Sequence, residues 1–217
     1  IGHGIHRPLS KAAYQASADF FSLPDTVKNT YENRIIGRQR GYTPLGKERA
    51  KNHSHSDLKE FWHTGMENAS GLPENVWPTE ISNFKDNMLA LYNALHAVSI
   101  ELATAIELFL EIPPGSLSKM LNGGNTVLRS IHYPASTEQV PGRLWAAPHE
   151  DINLMTLLIE ASGAGLEILT RDNQWLPVHC EPSEIVLDTG DMLAKLTNNL
   201  LPAVTHRVVA PASNRSS

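Results

Sequence analysis

The stretch Pro148-His149-Glu150-Asp151-Ile152-Asn153-Leu154-Met155-Thr156-Leu157-Leu158 decides how the rest of the chain is read. It sets an imidazole and a carboxylate two residues apart and runs directly into an apolar, β-prone segment. Side chains alternate faces along a strand, so His149 and Asp151 are expected on one side and Glu150 on the other. A second imidazole, His206, lies in Ala203-Val204-Thr205-His206-Arg207-Val208-Val209, which also reads as a strand. Two histidines and one carboxylate on sheet positions can form a facial triad, which leaves coordination sites open on non-haem Fe(II). His-x-Asp alone often arises by chance, and polar residues with ordinary hydrogen bonds are the competing reading.

Around this stretch the chain has the period of strands. From Asn125 onward, β-prone segments fall at about 126–133, 144–149, 152–159, 165–170, 175–179, 184–188, 192–197 and 203–209. Turn signals such as Gly123-Gly124, Asp172-Asn173, Gly190-Asp191 and Asn198-Asn199 separate them. Short strands at close spacing indicate an all-β sandwich or barrel. Upstream the period is helical. Ile81, Phe84, Met88, Leu91, Leu95, Val98, Leu102, Ile106 and Phe109 form one apolar stripe over residues 80–111, which predicts a scaffold helix packed on a sheet, a coiled-coil partner being the alternative. Pro8 to Phe21 predicts a second helix, with a short one after it to about Tyr31. Residues 1–5 read as the end of a strand, 34–57 as a long loop and 58–64 as a strand.

Composition sets outer limits. The chain has 217 residues, enough for one domain with a sizeable core, and 41% hydrophobic with 19% charged residues is ordinary globular usage. A formal charge of −5 argues against a general nucleic-acid binder. Cys180 is the single cysteine, so no intrachain disulfide forms, which fits a reducing, cytoplasmic setting. No uncharged apolar run of about 18 residues suggests a membrane span. The chain opens at Ile1 inside a motif, so natural sequence, and with it any targeting segment, is expected upstream.

The motifs fall in a familiar order. Gly2-His3-Gly4-Ile5, Gly41-Tyr42-Thr43-Pro44-Leu45-Gly46 and Asp57-Leu58-Lys59-Glu60-Phe61 come first. Leu128-Arg129-Ser130-Ile131-His132-Tyr133-Pro134, the His149/Asp151 pair, Gly165-Leu166-Glu167-Ile168, Trp175-Leu176-Pro177-Val178, Gly190-Asp191, His206-Arg207-Val208 and Arg215-Ser216-Ser217 follow. Together they resemble the isopenicillin N synthase-like branch of the Fe(II)/2-oxoglutarate-dependent dioxygenases. The resemblance spans nearly the whole chain and implies further sequence beyond both ends.

What it implies is a mainly β fold with flanking helices, a double-stranded β-helix (jelly roll) carrying the long scaffold helix. One dioxygenase domain is expected over 1–217, with a helical and loop part at 1–124 and the jelly-roll core with its metal site at 125–217. The implied cofactors are Fe(II), held by His149, Asp151 and His206, 2-oxoglutarate as cosubstrate, and O2. Arg215 and Ser217 match the family's Arg-x-Ser, in which a guanidinium grips the distal carboxylate of 2-oxoglutarate and a hydroxyl adds a bond. Tyr133 matches a tyrosine that helps hold the cosubstrate, although Ile131 stands where the family has asparagine. The implied reaction couples oxidative decarboxylation of 2-oxoglutarate to hydroxylation or related oxidation of a small organic substrate.

Other readings stay open at this point: an oxidase of the same fold that does not use 2-oxoglutarate, a non-enzymatic jelly-roll binding module, and a metal-dependent isomerase or hydrolase. No nucleic acid and no membrane are expected as partners, and the sequence leaves substrate and oligomeric state undefined. Arg34, Arg38, Arg40, Lys47, Arg49 and Lys51 read as a solvated loop balanced by Glu48 and Asp57, or as an attractor for an anionic substrate. His53-x-His55-x-Asp57 has metal-ligand spacing in a polar loop and reads as adventitious. Cys180 has no activating neighbour in sequence and reads as inert.

Overall fold

Pro8 in the first turn and an alanine-rich interior make α1 (Arg7–Phe21), because proline's missing N–H costs nothing there and alanine is the best helix former. The computed structural model describes residues 2–50, 54–134, 144–159 and 163–210. These group into two compact units. One is built from Gly4–Pro44 and Phe61–Ile131, the other from Leu45–Glu60 and the described part of His132–Ser217, with Gly2 and His3.

The first unit is helical with a small sheet. After α1 comes one turn of helix, α2 (Asp25–Lys28), then β1 (Gly41–Thr43), β2 (Glu60–Gly65), α3 (Phe84–Phe109), α4 (Ser118–Gly123) and β3 (Val127–His132). The strands run in the order β1-β2-β3, with β1 antiparallel to β2. Helix α3 packs against α1. Phe20, Trp62 and Phe84 are all buried, with Phe20 4.7 Å from the Trp62 ring and 5.8 Å from Phe84. Each such ring contributes roughly 1.5–3 kcal/mol by leaving water. Length and composition alone would let α3 pass for a membrane span, but Phe84, Met88, Leu91 and Ala103 are buried in this core.

The second unit holds the antiparallel strands of the jelly roll. These are β4 (Ala146–His149), β5 (Met155–Ile159), β6 (Leu166–Leu169), β7 (Trp175–Pro177), β8 (Ile185–Thr189) and β9 (His206–Val208), with α5 (Asp191–Leu196) between the last two. Strand β4 pairs with β9, β5 with β8, and β6 with β7, while β6 also pairs with β9. The nested order 4–9, 5–8, 6–7 is that of a long hairpin wound on itself, as in a jelly roll. One sheet reads β4-β9-β6-β7 and the other β5-β8.

Four expectations are corrected. Residues 192–197 are helix α5, not strand. Met192-Leu193-Ala194-Lys195-Leu196 are good helix formers, Asp191 and Lys195 suit the two dipole ends, and Asn198 and Asn199 stop the helix in left-handed conformation. Residues 2–6 form no strand; Gly2 N–H donates to Ser183 O at 3.2 Å. The long helix starts at Phe84, after a left-handed Asn83. The basic loop is not balanced by Glu48 and Asp57. Those two carboxylates grip buried Lys59 at 2.6 and 3.0 Å, while Arg34 and Arg38 pair with Glu32 at 2.9 and 2.7 Å. Arg40 is fully buried and donates to Gln39 O and Asn125 Oδ1. Lys51 and His53 lie outside the described residues.

Candidate metal centre

The site begins where β4 and β9 meet. His149 and His206 are cross-strand partners, and their rings lie 4.3 Å apart. The ladder slips between Ala146 and His149, so the end of β4 departs from regular pleating. Asp151 is not on that strand, which ends at His149. It reaches the same place from the turn beyond, with Oδ1 3.7 Å from His149 Nε2. Ligand atoms of His149, Asp151 and His206 all lie within 4.8 Å of one another, and they are the metal-capable group among the described residues. Glu150 turns aside and accepts a hydrogen bond from Thr205 Oγ1 at 2.9 Å.

Each of the three has a second partner that fixes which atom faces the centre. His149 Nδ1 lies 2.7 Å from Ala147 O and His206 Nδ1 3.2 Å from Val204 O. A carbonyl only accepts, so both Nδ1 atoms carry the proton and both Nε2 lone pairs are free. Asp151 Oδ2 accepts from the Thr156 hydroxyl, and Thr156 Oγ1 in turn accepts from Asn153 Nδ2 at 2.8 Å. That leaves Oδ1 as the outward oxygen. Burial holds His149 below the ordinary histidine range, with His206 and Lys59 acting the same way against Ala147 O and Asp151. The ring is therefore kept neutral, the form that ligates a metal.

Backbone contacts pin the turn that carries Asp151. Asp191 N–H donates to Asp151 O at 2.7 Å, Met192 N–H to Asn153 O at 3.1 Å, and Gly190 N–H to Leu154 O at 3.1 Å. A Cβ at Gly190 would meet Asn153 O at 2.2 Å and Asp151 O at 2.8 Å, so only glycine admits this approach. On the other side, Asp57 Oδ1 accepts from Ala147 N at 3.1 Å and Leu58 N–H donates to Leu144 O at 3.1 Å, steadying the strand that ends in His149.

The family model of the 2OG-Fe(II) oxygenase superfamily matches residues 124–217. That of the N-terminal region of a non-haem dioxygenase in morphine synthesis matches residues 1–80. The 2-oxoglutarate-dependent dioxygenase ecdK of Aspergillus rugulosus is 30% identical, over 98% of this chain and 71% of its own length. The chain belongs to the 2-oxoglutarate/Fe(II)-dependent oxygenases. A crystal structure of a putative 2OG-Fe(II) oxygenase family protein from Caulobacter crescentus is 39% identical, with a TM-score of 0.83 over 98% of this chain and 72% of that one. A full-length Neurospora crassa protein solved with alpha-KG is 28% identical, with a TM-score of 0.86 over 97% and 68%; it has also been solved with alpha-KG and thymine. The chain spans 61% of the length of another curated relative, the 2-oxoglutarate-dependent dioxygenase 21 of Oryza sativa, to which it is 28% identical.

The oxygenase family's iron fits the residues present. Two imidazole nitrogens and one carboxylate oxygen are donors suited to Fe(II). Beside them, Asp188 Oδ2 is buried, has no hydrogen-bond partner, and lies 3.3 Å from His206 Nδ1. Burial pushes the Asp188 carboxyl up to about 6, offset in part by His206. Such a charge is better compensated with a cation at the centre. Of the residues expected to hold 2-oxoglutarate, Tyr133 follows β3 and stacks on buried Trp145, 5.0 Å and 13° apart, while Arg215 and Ser217 lie outside the described residues.

Asn153, Thr156 and Asp188, whose roles no motif marks, also belong to the site. The signal for Asp188 was a lone acid in Ile185-Val186-Leu187-Asp188-Thr189, an otherwise apolar strand. Thr156 stood in the opening stretch itself. Asp57 was read as balancing the basic loop and instead braces β4.

Proposed function

We propose that His149, Asp151 and His206 hold Fe(II) on one face, that Tyr133, Arg215 and Ser217 hold 2-oxoglutarate, and that the protein oxidises a small organic substrate with O2. The observation that carries this is the convergence of the three ligand atoms within 4.8 Å, with each side chain turned by a separate hydrogen bond. Fe(II) bound there supplies the redox chemistry, coupling oxidative loss of CO2 from 2-oxoglutarate to oxidation of the substrate.

The chain's own residues do the rest. Ala147 O and Val204 O hold the protons of the two imidazoles away from the centre, so no tautomer change is needed to ligate. Thr156 occupies one oxygen of Asp151 and favours binding through the other. Three ligands would leave coordination positions open for a chelating keto acid and for O2. Arg215 would meet the distal carboxylate with its planar fork, and Ser217 would add a hydroxyl bond. Tyr133, its ring stacked on Trp145, would offer its phenol to the cosubstrate. A reducing cytoplasm suits this reading, since iron has to stay ferrous between turnovers and the single cysteine, Cys180, makes no intrachain disulfide.

The test is an anaerobic Fe(II) titration followed by a screen of small organic acids, amino acids and nucleobases with 2-oxoglutarate and O2. Substrate-stimulated succinate release in step with product supports the proposal. Product formed without 2-oxoglutarate overturns the cosubstrate half of it, and absence of Fe(II) binding overturns all of it.

A further inference from the structure

We propose that Asp188 is a positioning residue for the metal centre, its carboxylate serving as the charged partner of His206 Nδ1–H. The inference rests on the metal reading above and deepens it. His206 is the less exposed of the two imidazoles, with 14% of its side chain accessible against 30% for His149. Its Nδ1–H has a rather long bond to Val204 O, 3.2 Å against 2.7 Å for His149 and Ala147 O. The Asp188 oxygen stands 3.3 Å from the same nitrogen. It is buried and bonded to nothing else.

A buried carboxylate oxygen left without a hydrogen bond is costly in a protein that never binds a cation, because its desolvation is not fully offset. Once a divalent metal draws electron density from Nε2, the Nδ1 proton becomes more acidic and a stronger donor. The nearby carboxylate then gains a charge-assisted bond and makes the imidazole a better ligand. Asp188 lies on the Nδ1 edge, away from Nε2, so it acts through His206 and is not itself a ligand.

Register ties this to the third ligand. Asp188 is the cross-strand partner of Thr156 in the β5–β8 ladder, and directly opposed residues project to the same face. One rung therefore serves two ligands: Thr156 donates to Asp151, and Asp188 stands 3.3 Å from His206 Nδ1. Neither contact involves the first sheet's own ladder, so the β5–β8 pair buttresses a site that β4 and β9 carry.

The experiment compares wild type, Asp188→Asn and Glu150→Gln as purified metal-free proteins titrated anaerobically with Fe(II) alone, with melting temperature measured before metal is added. Asparagine keeps the shape and removes the charge. The expected result is a ~10–100-fold loss of Fe(II) affinity in Asp188→Asn, with a metal-free melting temperature equal to or above wild type because the uncompensated charge is gone. Glu150→Gln, which changes the acid between His149 and Asp151 that accepts from Thr205, is expected to bind as wild type does. Asp188→Asn binding less than about tenfold weaker than wild type overturns the proposal, tenfold being the smallest loss expected of a second partner. So does an equal loss in Glu150→Gln, which would make the effect a general one of charge. A lowered metal-free melting temperature with unchanged Fe(II) affinity assigns Asp188 a purely structural role. Failure of the wild type to bind Fe(II) removes the metal reading itself, and is told apart by needing no variant.

Discussion

His149 and His206 are partners across the β4–β9 ladder, with ring centroids 4.3 Å apart and planes tilted by 54°. Two imidazoles this close would repel if both were protonated, and like charges directly opposed across a ladder are destabilising. Burial keeps His149 neutral, and its backbone partner frees Nε2. Replacing either histidine with alanine is expected to abolish Fe(II)-dependent turnover and to weaken Fe(II) binding by at least ~100-fold, beyond what loss of an outer partner costs. The fold should survive, because both rings are partly exposed and neither belongs to the apolar core. Anaerobic titration and circular dichroism on the same samples check both halves; normal turnover in either variant would remove that residue from the triad.

Thr156 tests the orientation of Asp151. Thr156→Val keeps the β-branched shape that strand β5 favours and deletes only the hydroxyl that binds Oδ2. About tenfold weaker Fe(II) binding is expected, with Thr156→Ser close to wild type because it restores the donor. Equal affinities in the valine and serine variants would show that the hydroxyl has no part in presenting the ligand.

How far this site could be read from the chain depends on which contacts are local. His149, Asp151 and His206 were visible as residue types on β-prone runs, and the structure does bring them together. Strand alternation does not place Asp151, which lies beyond the end of β4. The turn does that, held by Gly190 and Asp191 from a different part of the sequence. Asp188 and Thr156 meet only through the β5–β8 register, which no local pattern specifies. Residues 192–196 lie in helix α5 and not in the expected strand, because a short apolar run suits either equally. The nested strand order was inferred from the family motifs, whereas the alternation of short strands alone gave only a sandwich or barrel.

Gly190 gives a prediction about packing. Its φ of −95° is open to any residue, so the constraint is space and not backbone conformation. Gly190→Ala would drive a methyl into Asn153 O and Asp151 O. Overpacking of this kind costs about 1–3 kcal/mol, and relief comes only by moving the turn that presents Asp151. Reduced stability and weaker Fe(II) binding should appear together in thermal melts and titrations. A stable variant with native affinity would mean that the turn yields without disturbing Asp151.

Glu107, away from the site, gives a pH-dependent signature. Its buried carboxylate accepts backbone N–H bonds from Gly115, Leu117 and Ser118, joining α3 to the start of α4. The bonds to Ser118 and Gly115, foremost, hold it below the ordinary glutamate range, against the opposing effect of burial. A depressed folded-state value means that the stabilisation is full above the unfolded-state pKa and is lost as pH falls through the folded one. Glu107→Gln is therefore expected to lower the melting temperature near neutral pH, and the gap from wild type should close on acidification. A gap that stays constant down to the acid limb would show that the charge is not what α4 recognises.

Arg215 carries the cosubstrate half of the proposal. If its guanidinium clamps the distal carboxylate of 2-oxoglutarate, Arg215→Lys is not conservative, because an ammonium has no planar fork and cannot make two parallel bonds. Charge-assisted hydrogen bonds contribute roughly 1.5–3 kcal/mol each, so the expected loss is on the order of tenfold to a hundredfold in affinity for 2-oxoglutarate. Ser217→Ala should cost less, since it removes a single neutral group. Fe(II) affinity measured without 2-oxoglutarate should be unchanged in both, because neither side chain is a ligand. That separation is what makes the experiment decisive. A variant that loses Fe(II) and 2-oxoglutarate together has a damaged fold, whereas wild-type affinity for 2-oxoglutarate in Arg215→Lys refutes the clamp and leaves the metal site standing.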